Sequence, residues 1–90
     1  RASLAVFEQD DAGNWPMELT VRGLPALPAG QTYELWLTRN GELADPCGTF
    51  AATGGTTVVP LNAPYKLRRY DGWVIVRTGT ERVLMRTSEI

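Results

Sequence analysis

Tyr33-Glu34-Leu35-Trp36-Leu37-Thr38-Arg39-Asn40-Gly41 is the stretch that decides the fold. Tyr33, Leu35 and Leu37 alternate with Glu34, Trp36 and Thr38, the period of two that sends successive side chains to opposite faces of a strand. Trp36 makes the second face partly apolar as well, so this strand is expected to be central. Asn40-Gly41 then ends it. Both residues tolerate positive φ, as a type I′ turn demands, so the chain should reverse here into an antiparallel partner.

The same period runs outward in both directions. Trp15, Met17, Leu19 and Val21 alternate with Pro16, Glu18, Thr20 and Arg22, which reads as a second half-buried strand. Residues 4–8 and 73–76 read as shorter strands with apolar groups on both faces. Residues 47–52, 56–61 and 82–87 supply three more, about seven in all. Between them lies turn chemistry: a hairpin loop at Asp10-Asp11-Ala12-Gly13-Asn14 and a tight connection at Gly54-Gly55. Longer links hold Gly23-Leu24-Pro25, Pro28-Ala29-Gly30 and Asn62-Ala63-Pro64, where Pro removes a donor and ends ladder pairing. The one helical candidate, residues 63–69, has room for a single turn beside Pro64. The expectation is one all-β domain over residues 1–90, an immunoglobulin-like antiparallel β-sandwich, with a barrel as the alternative.

Composition narrows the function. With 43% hydrophobic and 21% charged residues, the chain has the balance of a folded globule rather than a disordered tail. A net charge of -1 with dispersed basic residues argues against a nucleic-acid partner, which needs Lys and Arg gathered on one face. The densest basic cluster, Lys66, Arg68 and Arg69, with Arg77, Arg82 and Arg86 further on, reads as solvated charge. No apolar run is long enough to span a bilayer. A start at Arg1, with no signal peptide, reads as a piece excised from a longer protein.

Catalytic chemistry finds little support. There is no histidine, the commonest general base and transition-metal ligand. The single cysteine, Cys47, cannot close an internal disulfide and is expected to be a small buried residue at the start of a strand, beside Pro46 and Gly48. An intermolecular link or redox role is the alternative. Its near neighbour Asp45 would raise the thiol pKa rather than activate it. Asp10 with Asp11, and Glu42 with Asp45, fall at turns, where backbone hydrogen bonding accounts for them. Residues 10–14 lack the ligand spacing and distal Glu of a calcium loop. No enzymatic activity, cofactor or metal is expected. Trp15, Trp36 and Trp73, with Tyr65 and Tyr70, leave open a carbohydrate- or cell-wall-binding module, although packing in the sandwich core is the expected role of the indoles.

One stretch goes beyond a generic β pattern. Gly23-Leu24-Pro25-Ala26-Leu27-Pro28-Ala29-Gly30-Gln31-Thr32 leads into Tyr33-Glu34-Leu35-Trp36-Leu37, followed by Asn40-Gly41 and Gly48-Thr49-Phe50. This resembles the C-terminal domain of the bacterial anti-sigma-K factor (RskA-like) family, over roughly residues 3–76. The matching positions are Gly23, Leu24, Pro25, Gly30, Tyr33, Leu35, Trp36, Leu37, Gly41, Gly48 and Phe50, and each has a structural role. Gly and Pro shape the approach loop, Tyr33, Leu35 and Leu37 fill one face, Trp36 covers the other, and Phe50 returns to the core. Beyond Trp73 the chain departs from the family pattern. The resemblance implies a membrane-anchored parent: a cytoplasmic segment, absent here, that binds a sigma factor, then a transmembrane helix, then this domain outside the membrane. Such a domain would be extracytoplasmic and would govern regulated proteolysis that frees the sigma factor for transcription. The partners implied are that sigma factor and a regulatory protease. Self-association is a further expectation, by strand addition at an exposed edge formed by residues 82–87.

Overall fold

A computed structural model describes residues 1–63 and 70–89, and of residues 87–89 only the backbone. Seven strands occur among the described residues: β1 (Ala2–Val6), β2 (Trp15–Arg22), β3 (Tyr33–Arg39), β4 (Glu42–Phe50), β5 (Thr56–Ala63), β6 (Gly72–Arg77) and β7 (Val83–Glu89). No helix occurs among the described residues. β1, β2 and β5 pair antiparallel in that order, and β4, β3, β6 and β7 do likewise. Packed together they form the expected all-β sandwich.

The two sheets are joined through β7. Its first half pairs antiparallel with β6, Val74 opposite Arg86 and Ile75 opposite Met85. Its last residues run parallel to β1, with Ala2 opposite Thr87 and Leu4 opposite Glu89. The continuous order is therefore β4-β3-β6-β7-β1-β2-β5. This overturns the expectation of an exposed edge at residues 82–87, because β7 is hydrogen-bonded on both sides. The true edges, β4 and β5, each carry a proline, Pro46 and Pro60. A proline on an edge strand denies a donor to an incoming strand.

Alternation along the strands becomes the core. Leu4, Met17, Leu19 and Val21 from one sheet meet Tyr33, Leu35, Phe50 and Ile75 from the other. The Tyr33 and Phe50 rings lie 5.8 Å apart. On β6, Val74 and Val76 are as buried as Ile75, so this strand is apolar on both faces, as its sequence requires.

Several boundaries differ from those expected. β1 starts earlier, so Ala2 and Leu4 turn inward while Phe7 lies beyond the strand, 51% exposed. β5 runs on through Asn62 and Ala63, which the proline-based reading had assigned to a link. β4 starts at Glu42, so Glu42 and Asp45 lie in a strand and not in a turn. Its pairing with β3 slips twice, between Leu35 and Trp36 and between Leu37 and Thr38, leaving Ala44 and Cys47 as extra residues in two bulges. Cys47 is therefore mid-strand and half-buried rather than fully buried at a strand start. Those bulges break the period of two, which is why β4 was legible only in its last part. Tyr65, Lys66, Arg68, Arg69 and the helical turn expected before Tyr70 lie outside the described residues.

Candidate functional site

The residues around β3 form a brace. Gly23 at φ 85° turns the chain out of β2, and Leu24 is buried at once. The Tyr33 hydroxyl then donates to the Pro25 carbonyl oxygen at 2.6 Å, pinning the approach loop to the start of β3. Gly30, at φ 85°, completes a turn closed by the Gln31 N–H on the Pro28 oxygen at 3.1 Å. Leu35 and Leu37 are fully buried. Trp36 faces the other way, opposite Val74, and its Nε1 donates to Glu34 Oε1 at 2.8 Å. Gly48 sits at φ 139°, and a Cβ there would stand 2.9 Å from Leu61 Cδ2. That contact is where the edge of one sheet crosses the edge of the other.

A polar cluster closes the opposite end of β3. Asn40 at φ 54° and Gly41 at φ 79° make the hairpin turn expected of them. Asp71, just before β6, holds that turn in place. Its Oδ1 accepts from the buried Thr38 hydroxyl at 2.7 Å and its Oδ2 from the Gly41 N–H at 3.3 Å. Its own N–H donates to the Thr38 carbonyl at 2.9 Å. The Thr38 hydroxyl, with smaller help from the Asn40 and Gly41 amides, holds the Asp71 carboxyl below its ordinary value despite partial desolvation. Beside it the Tyr70 hydroxyl donates to the Asp45 carboxylate, and the Arg39 guanidinium lies 5.1 Å from the centre of the Tyr70 ring. A shallow cleft of about 300 Å³ opens between Thr38, Asp71, Trp73 and Arg86. With the Asp71 and Asp45 carboxylates and the Arg39 guanidinium already engaged, this end stabilises a hairpin. An Asp71 carboxylate so easily ionised is a poor proton acceptor at neutral pH.

The sequence reading missed this cluster. Tyr70-Asp71-Gly72 carries a turn signal, but Asp71 acts on residues 30 and 33 positions away, and no local pattern reports that.

Other candidate groups have structural occupations. Burial first, and the Asp45 carboxylate second, push the Cys47 thiol up to about 11, so little thiolate exists at neutral pH. Asp10 Oδ1 accepts from the Ala12 and Asn14 N–H groups at 3.0 and 2.9 Å, the turn role expected of it. Among the described residues no three His, Cys, Asp or Glu side chains are grouped to hold a metal. Trp15 and Trp73 pack against the core, while Trp36 lies on the outer face of β3. The three indoles therefore do not line one surface, as a sugar platform would require.

The family model described as anti-sigma-K factor rskA, C-terminal, matches residues 2–83. No curated protein and no solved structure gives a match.

Proposed function

The chain belongs to the anti-sigma-K factor C-terminal family, and from that premise we propose that it is the extracytoplasmic regulatory domain of a transmembrane anti-sigma factor. In this reading it governs regulated proteolysis of the parent protein and so the release of a sigma factor for transcription. The supporting observation is the extent of the family match, which runs from Ala2 at the start of β1 to Val83 at the start of β7 and so takes in β1 to β6. The residues from Gly23 to Phe50 are then the shared framework, a brace that fixes the approach loop, central strand and hairpin. Sigma-factor binding belongs to a separate cytoplasmic segment of the parent, joined to this domain by a membrane-spanning helix. No helix of the described residues is long and apolar enough to cross a membrane.

The test is to express the parent with and without residues 1–90 beside a sigma-dependent transcriptional reporter. Removing the domain should change both the steady-state level of the intact parent, seen by immunoblot, and the reporter signal. If both stay at the wild-type level, the domain does not regulate release and the reading fails.

A further inference from the structure

The sheet formed by β1, β2 and β5 turns one face to the core and the other outward. Strand register defines the outward rows: Ser3, Thr20 and Val58 lie side by side, and Ala5, Glu18 and Pro60 form the next row. Beyond Thr20 on the other side stands Arg22, opposite Thr56. Val58 is 55% exposed, and Pro60 beside it is exposed as well. A solvated sheet face is ordinarily polar along its strands. Here the charges in these rows sit on β2, Glu18 and Arg22, with Arg1 hydrogen-bonded through its backbone next to Arg22. A charge-poor centre between charged ends is the composition of an association surface.

We infer that this face binds a second copy of the chain, sheet against sheet. Glu18 and Arg22 stand two residues to either side of Thr20, about 6.6 Å each at ~3.3 Å per residue. A two-fold axis lying across the strands at Thr20 stacks β2 antiparallel on its counterpart. It sets Glu18 of each copy against Arg22 of the other, so one charge pattern makes two ion pairs. The same axis lays Val58 on Val58 and removes both from water. Closed two-fold contacts of this kind pair one patch with itself. Strand addition is disfavoured, because the free edges hold Pro46 and Pro60. Three short strands cover less than the roughly 1,200 Å² at the lower end of stable interfaces, so the dimer is a weak one that forms at high local concentration.

Sedimentation velocity on the 90-residue chain tests this, run from about 10 µM to about 1 mM, a range in which a weak contact of this size begins to fill. The wild type should move from monomer toward dimer across it. Glu18→Arg and Arg22→Glu should each stay monomeric, since each brings like charges together. An equimolar mixture of these two variants should associate again, because every facing pair is then opposite in charge. The double variant Glu18→Arg/Arg22→Glu should associate as the wild type does. Recovery in the mixture also separates a lost contact from a lost fold. A wild type that remains monomeric at the highest concentration overturns the inference. So does a mixture or a double variant that fails to associate.

Discussion

At Gly48 the backbone takes φ 139°, and the tip of Leu61 from the opposite sheet lies 2.9 Å from where a side chain would begin. Both constraints act against any other residue, one through backbone strain and one through overpacking. Gly48→Ala should lower stability by about 1–3 kcal/mol, measured by urea unfolding. In a Leu61→Ala background the same substitution should cost less, because the clash is gone and the strain remains. Equal costs in the two backgrounds would show that the contact with Leu61 contributes nothing. Residue identity made part of this legible in advance. Gly48 and Phe50 could be picked out beside the resemblance, but the near contact with Leu61 joins residues from different sheets, which no local pattern encodes. Tyr33 was readable as a core residue, whereas the destination of its hydroxyl on Pro25 was not.

Among the elements, the β3–β4 hairpin shows how a local signal and a distant residue combine. Asn40-Gly41 specifies the turn, and Asp71 ties it to β6 through Thr38 and Gly41. The folded-state pKa of Asp71 lies below the ordinary 3.8. Its contribution to stability is therefore present above pH 3.8 and is lost as pH falls through the folded-state value. Asp71→Asn cannot titrate and loses an acceptor for the Gly41 amide. It should melt below the wild type at pH 7, and the gap between them should close as the pH drops under 3.8. A gap that stays constant with pH would mean that the charge on Asp71 does not support the hairpin. Legibility varied among the strands for physical reasons. β2 was read with both its ends because its alternation is unbroken from Trp15 to Arg22. β4 was read in part because Ala44 and Cys47 bulge out of register. β7 was recognised as a strand but misplaced at an edge, since edge or interior position is decided by partners far away in sequence. Among the described residues its parallel run beside β1 is the one departure from an antiparallel sandwich.

Across the whole molecule, seven strands make one continuous sheet folded into a three-stranded and a four-stranded layer. β7 joins the layers, proline-bearing strands lie at both free edges, and the β3 brace lies between. Cys47 is held as a neutral thiol, the Asp71 and Asp45 carboxylates accept hydrogen bonds, and the Arg39 guanidinium lies over the Tyr70 ring. Fold class was readable from periodicity and turns. Function was not, because a sandwich of this kind serves many roles; what the order of residues from Gly23 to Phe50 made readable is the family. The central claim is that this domain stands outside the cytoplasm as the regulatory end of an anti-sigma factor. Fusing alkaline phosphatase, which is active only outside the cytoplasm, after Ile90 in the full-length parent tests it most directly, with green fluorescent protein, dark when exported unfolded, at the same position in parallel. High phosphatase activity with no fluorescence is the predicted result; bright fluorescence with inactive phosphatase would contradict the account.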